Sequence, residues 1–405
     1  MIVTAQHAEV HQILQQLKNY EYPIPSLMNG NGGLVLLYAY AYKTLNEESY
    51  FERASELLEK CLEQISEAPA DFSLVNGLTG FSWLISHLHN IDFLEEDSID
   101  LLENAEEIIH ASFQKDLHNK NLDLFYGLIG KGIFYLEAFP HFGAKQKLEE
   151  IVNIIAKTAE VSPEGLYWND PLAERAYPEE QVQNLGLAHG IPSIIAFLAQ
   201  VYQKNICQEQ IEDLLQKSIN WLMHQRNANK SDTGNWFPGV LRDQKGNPAA
   251  FWGWCHGDMG IALAIWKASQ ALPHQIQWKE QALELALDIA HRPPEIAYLH
   301  THQSSGNCEQ GFCHGASSLA HIFYRFYQAT QMSVFEQQAN YWFDKLPGAA
   351  LACNYDDKKG QEFWKKSHSL LSGDAGIGLV KLSFMSDKPL SAWDIIFLTN
   401  IHPSF

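Results

Sequence analysis

Seven times along this chain a glycine is followed three positions later by another small residue and then by an apolar segment, and no other feature restricts the fold as much. The copies are Asn29-Gly30-Asn31-Gly32-Gly33, Asn76-Gly77-Leu78-Thr79-Gly80, Tyr126-Gly127-Leu128-Ile129-Gly130, His189-Gly190-Ile191-Pro192-Ser193, His256-Gly257-Asp258-Met259-Gly260, His314-Gly315-Ala316-Ser317-Ser318 and Ser372-Gly373-Asp374-Ala375-Gly376. A recurrence of this kind means one supersecondary unit per repeat. Glycine suits the anchor because the chain must turn tightly into a helix start and pass close to neighbouring backbone.

The segments after the anchors, such as Leu34-Val35-Leu36-Leu37-Tyr38-Ala39 and Ile261-Ala262-Leu263-Ala264-Ile265-Trp266, are apolar throughout, which predicts helices buried on every side. Between them run amphipathic stretches with apolar residues at helical spacing, for example Phe51, Ala54, Leu58, Cys61, Leu62 and Ile65, or Trp278, Ala282, Leu285 and Ile289. The first kind predicts an inner layer of helices and the second an outer layer. A linear solenoid of helix pairs has the same local pattern. The ends favour a ring: an amphipathic segment at about 8–17 has no inner helix before it, and the chain ends soon after an inner one at 377–384. Joined, they make a seventh pair, so the expected fold is an all-α, α/α toroid of seven inner and seven outer helices.

No Ser/Pro/Gly-rich linker or charge run divides the 405 residues, which predicts one toroid domain over 1–405, with long loops near 161–189, 227–256, 293–314 and 348–372 around its mouth. The start, Met1 to His7, has no basic or apolar leader, and the expected location is cytoplasmic. Six cysteines in a chain of this size do not make a secreted disulfide framework. A formal charge of −20 argues against nucleic acid and anionic membrane as partners, and suits steering of basic peptides or ordinary solubility.

Chemistry concentrates in Trp254-Cys255-His256-Gly257 and Cys313-His314-Gly315, where two thiols and two adjacent imidazoles occupy nearly the same slot of successive repeats. Thiolate and imidazole are zinc ligands, and three protein ligands leave a fourth position open for water or substrate. Two buried packing cysteines are the alternative; their shared slot weighs against it. Every anchor precedes its inner helix at the same end, so these side chains converge on one mouth.

These residues resemble the lanthionine synthetase C-like family, the cyclases of lantibiotic biosynthesis. The resemblance runs through all seven glycine repeats and is most specific at Trp254-Cys255-His256-Gly257 and Gly311-Phe312-Cys313-His314-Gly315. It implies an α/α toroid holding one Zn²⁺ per chain through Cys255, Cys313 and His314. It also implies addition of a peptide thiol to dehydroalanine or dehydrobutyrine in a ribosomal precursor, giving a thioether ring. A dehydratase and an exporter are the partners implied with it. His189, in Gly186-Leu187-Ala188-His189-Gly190, matches the family's acid/base histidine, and Asp123, in Asp123-Leu124-Phe125-Tyr126-Gly127, its catalytic aspartate. Asp123 also suits an ordinary helix cap, and His189 a core imidazole bonded at a loop. The chain departs from many bacterial members at Phe251, where they carry Arg, and at His256, where they carry Tyr; Arg242 lies in the same loop as the missing guanidinium.

The chemistry is consistent with the residues. A free thiol has a pKa of about 8.5 and is mostly protonated at neutral pH, whereas a thiol on zinc is deprotonated outright. Attack at the β-carbon of a dehydroamino acid leaves an enolate that needs a proton at the α-carbon. His189 can take the thiol proton and return one, with Asp123 holding its tautomer or stabilising its imidazolium.

Other donors rank lower: His256 as a neighbour of the ligands, Cys308 as a loop residue near His300 and His302, and Cys61, Cys207 and Cys353 as packing residues in outer helices or loops. Trp168, Trp236, Trp252, Trp254 and Trp364 precede the later anchors and suit either an aromatic rim for a peptide or caps over the core. Lys245-Gly246-Asn247 predicts a hairpin within 236–254. Three functions fit: a zinc-dependent thioether-forming cyclase, a zinc-bearing peptide- or partner-binding module, and a metal-free toroid acting on carbohydrate. The last needs paired carboxylates, and none stands out beside the anchors.

Overall fold

The computed structural model describes residues 2–67, 71–176, 180–242, 250, 252–297, 299, 308–346, 351–356, 361–385 and 393–401. Each of the seven anchors starts an inner helix: Asn31–Leu45, Leu78–Asn90, Leu128–Glu137, Ile191–Gln203, Asp258–Ala271, Ala316–Thr330 and Asp374–Met385. The first is buried at every residue from Asn31 to Ala41, as its unbroken apolar sequence requires. Outer helices alternate with them at Ile2–Leu17, Glu48–Glu67, Glu103–Ala111, Ala144–Thr158, Gln208–His224, Ile276–Ala290 and Ser333–Phe343. The third outer layer is broken, with a 3₁₀ turn at Glu96–Leu102 before it and a short helix at Phe113–His118 after it.

The architecture is an α/α toroid, closed where expected. Lys381 on the last inner helix pairs with Glu9 on the first outer helix (Nζ to Oε2, 2.6 Å), and Tyr38 on the first inner helix donates to the Leu14 carbonyl at 2.8 Å. Among the described residues no helix is long and apolar enough to cross a membrane.

The anchors need glycine for a local steric reason. A Cβ at Gly30 would stand 2.5 Å from the Ile24 carbonyl oxygen and 2.6 Å from the Ser26 nitrogen, because the loop folds back over the helix start. Gly257 needs it for conformation, since its φ is 102°.

The loops before the inner helices are joined by backbone hydrogen bonds that run around the ring. The Met28 N–H donates to the Val75 carbonyl (3.1 Å), Leu74 to Phe125 (2.8 Å), Ala188 to Cys255 (3.3 Å), Cys255 to Cys313 (3.1 Å), Cys313 to Leu371 (3.0 Å) and Leu370 to Met28 (3.0 Å). The residues two before each glycine are thus the links of a collar, and both site cysteines are links in it.

Among the described residues, strand structure is confined to three two-stranded antiparallel pairs: Glu160–Ser162 with Gly165–Tyr167, Val182–Asn184 with Val240–Arg242, and Leu351–Asp356 with Gln361–Lys366. Val240–Arg242 finds Val182–Asn184 as a long-range partner; the Lys245-Gly246-Asn247 turn of the hairpin expected within 236–254 lies outside the described residues. Cys353 sits in a strand rather than in an outer helix or loop.

After the last inner helix, the segment 393–401 is buried from Trp393 to Ile401 except for a partly exposed Ile395. It meets inner helices five, six and seven through Lys267, Arg325 and Ser383 respectively. Nothing in its sequence pattern announces this: a 3₁₀ turn of mixed polarity, Trp393–Phe397, lies in the interior.

Candidate active site

The residue directly before each glycine is the open one. Asn29, Asn76 and Tyr126 are exposed and His189, His256, His314 and Ser372 partly so, while residues on either side are mostly buried. Helix starts converge here, so these seven side chains surround one mouth.

Cys255, Cys313 and His314 each bring a ligand atom, and the three atoms lie within 4.8 Å of one another. Of the two thiols only one ionises readily. Cys255 is held well below the ordinary thiol range, foremost by a hydrogen bond from Cys313 and against the opposing effect of burial, with His256 and His314 assisting. Cys313 is pushed well above it by that same shared proton, by burial and by the charge on Cys255. Burial disfavours an imidazolium at His314, yet hydrogen bonds to Cys255 and Glu309 outweigh it and lift its pKa to about 10. Two anions therefore hold a cation between them, which is the electrostatic demand a divalent metal meets.

Glu309 was not singled out from the sequence. Its Oε1 lies 3.2 Å from His314 Nε2, its side chain is 2% exposed, and its Oε2 is buried without a hydrogen-bond partner among the described residues. A carboxylate on Nε2–H fixes the tautomer that leaves Nδ1 as the donor. The available signal was positional: Glu309 stands six before Gly315, where the second to fourth repeats carry Asp71, Asn121 and Asn184.

His189 and Asp123 meet. His189 Nδ1 is 2.6 Å from Asp123 Oδ2, and Asp123 Oδ1 accepts from the backbone N–H of Phe125 and Tyr126, both at 2.7 Å. One oxygen of Asp123 therefore caps its own loop and the other holds His189. At the same slot, four before the glycine, Ser26, Ser73 and Ser369 cap their loops with one hydroxyl. A serine suffices for capping; the second oxygen of Asp123 serves His189. Burial lowers the His189 pKa, but the bond to Asp123, its charge and the charge of Cys255 reverse this, for a net upward shift. This side-chain bridge also spans the junction between the third and fourth loops, completing the collar.

His256 hydrogen-bonds Cys255 but stands outside the three-residue donor group. Cys308 is half-buried and also outside it, while Phe251, His300 and His302 lie outside the described residues. Arg242 belongs to the strand pair and lies 4.0 Å from Glu180. Cys61 is buried in the outer layer, as expected of a packing residue.

Three of the five tryptophans cap the core rather than line a rim, and Trp364 is half-buried. Trp168, Trp252 and Trp254 are buried and donate through Nε1 to the carbonyls of Ile155 (3.0 Å), Thr233 (2.8 Å) and Phe397 (2.6 Å), so they cap the core. Trp236 is half-buried beneath the Arg226 guanidinium, 4.1 Å from its ring centroid. The exposed aromatic at the mouth is Tyr126, 47% exposed, its ring parallel to that of His189.

Residues 24–398 match the lanthionine synthetase C-like protein family. The chain belongs to that family. It is an enzyme of the lanthionine cyclase class, as the match along nearly its full length identifies it. Among solved structures it is similar to nisin cyclase, with a TM-score of 0.75 at 19% identity, covering 97% of each chain. A weaker likeness is to an unsaturated glucuronyl hydrolase specific for heparin, at 11% identity and a TM-score of 0.45, covering 96% of this chain and 99% of that one.

Proposed function

We propose that this lanthionine cyclase binds one Zn²⁺ through Cys255, Cys313 and His314 and joins a cysteine thiol to dehydroalanine or dehydrobutyrine in a ribosomal precursor peptide. One observation carries the reading: a three-donor cluster with its thiolate, imidazole and carboxylate charges unbalanced stands beside a hydrogen-bonded His–Asp pair, close enough that the charge on Cys255 acts on His189. Zinc, when bound, would keep the substrate sulfur as a thiolate at neutral pH.

The residues of the chain do the rest. Asp123 holds His189 Nδ1, so Nε2 faces the reaction. The C–S bond forms at the β-carbon while the alkene electrons move toward the carbonyl; His189 then delivers a proton to the α-carbon and is reloaded with the proton the thiol gave up. Atoms are conserved, and the step is an isomerisation. Where many relatives carry Arg this chain has Phe251, and seven inner helices directing their N-terminal ends at the mouth supply positive potential for the enolate. A dehydratase must act on the peptide first. The whole of 1–405 serves as one such catalytic unit.

Given its dehydrated precursor, the protein is expected to consume peptide thiols with no change in peptide mass, read by alkylation and mass spectrometry. Peptide that stays fully alkylatable with zinc present would leave a zinc-bearing binding module instead.

Glu309→Gln keeps a hydrogen-bond acceptor for His314 but removes its charge. Zinc affinity should fall by roughly 10- to 100-fold, the usual effect of losing an outer partner of a ligating histidine. Competition with a chromogenic chelator measures it, and an affinity equal to the parent's would make Glu309 a bystander.

A further inference from the structure

We propose that the interior segment Trp393–Ile401 is the support that sets the two cysteine ligands at their spacing, with Asp394 as its pin and Trp254 and Phe312 as the residues through which it acts. The inference rests on the metal reading above. Trp254 and Phe312 directly precede Cys255 and Cys313, and both lean on this segment. The Trp254 Nε1–H donates to the Phe397 carbonyl at 2.6 Å, with the two rings 5.2 Å apart and nearly perpendicular. The Phe312 ring lies 4.4 Å from that of Phe397 and 5.6 Å from that of Trp393. One aromatic, Phe397, thus sits under both ligand loops.

Its own position is fixed by charges on the inner helices. Asp394 is fully buried; Arg325 donates to its two carboxylate oxygens at 2.8 Å each, and His321 and Thr399 bond Oδ2 at 2.8 and 3.1 Å. Lys267 donates to the Asn400 carbonyl and side chain at 2.7 and 2.6 Å, and the Trp393 Nε1–H donates to Ser383 at 3.0 Å. A buried ion pair is weak evidence for added stability, since desolvation offsets the attraction, but it specifies one arrangement of the groups that hold it. Here the arrangement specified is the floor beneath a metal centre. Rigid support of this sort decides whether ligands stand within the tolerance a tetrahedral site requires.

Trp254→Phe removes the indole donor and keeps an aromatic; Asp394→Asn removes the charge of the pin and keeps its shape. Tyr40→Phe is the control, deleting a buried hydrogen bond at 2.8 Å to His87 that links the first and second inner helices. Each protein is titrated with Zn²⁺ against a chelator and, separately, loaded with Co²⁺ for its visible absorption. The two support variants should bind zinc about tenfold or more weakly and shift the cobalt spectrum, while Tyr40→Phe matches the parent in both. If Asp394→Asn does not fold, Trp254→Phe decides alone. Parental affinity and spectrum in the variant that folds would show the segment to be packing only and overturn the inference. A parent protein that binds neither ion would instead overturn the metal reading itself.

Discussion

Replacing either Cys255 or Cys313 by alanine is expected to abolish stoichiometric zinc and ring formation together, while the toroid stays folded. In the proposed site the two sulfurs and one His314 ring nitrogen are the whole protein donor set among the described residues, so loss of one leaves two ligands. The fall in affinity should therefore exceed the roughly 10- to 100-fold drop that follows loss of an outer partner. The electrostatics lead to the same result: without Cys255 the thiolate that holds a positive charge at His314 is gone. Folding should survive because the core is built of apolar inner helices and not around the ion, unlike small domains whose folding free energy is metal binding. Metal analysis with circular dichroism checks both halves. Full zinc in either variant would show a ligand misassigned.

His189→Asn is expected to keep zinc and slow cyclisation by roughly 10²-fold or more, the usual loss when a positioned acid/base group is removed. Asp123→Asn should also slow it and, in addition, move the pH dependence. Burial alone would lower the His189 pKa; the Asp123 bond and charge make the net shift upward. A histidine that must donate a proton is competent below its folded pKa, so activity is lost as pH rises through that value. Removing the Asp123 charge leaves the burial effect in command, and the descending limb should move to lower pH. A limb that stays put, measured on dehydrated precursor, would separate Asp123 from the proton transfer and leave it the capping role it shares with Ser26, Ser73 and Ser369. Loss of zinc in either variant would mean a donor has been misplaced.

The inner layer was legible in the sequence because its signal is local and repeated: a glycine that must touch its own loop, then a segment with no polar face. Ring closure was legible by counting orphan ends. The Cys255-His256 and Cys313-His314 pairs stand out by their shared repeat slot, whereas the choice of ligands, His189 and Asp123 rest on a family resemblance; the structure brings the five residues together at one mouth. Glu309 was overlooked because a single acidic residue in a loop carries no local mark; only alignment of the repeats on their glycines exposes it. The tryptophans could be read two ways, and burial chose the caps, since three of the indoles find a backbone carbonyl inside. The pairing of Val182–Asn184 with Val240–Arg242 joins segments far apart in the chain, which turn chemistry cannot foresee. The segment 393–401 enters the interior through partners on three helices, and no periodicity of its own encodes that.

Six of the seven joints in the collar are made of amides, which do not titrate. The remaining one, His189 with Asp123, does, so it acts as the buckle on a hoop. Because the histidine's folded pKa is raised, its ion pair contributes most below the ordinary imidazole value and is lost as pH rises through the folded one. The junction between the third and fourth loops is therefore the one among the seven whose strength follows pH.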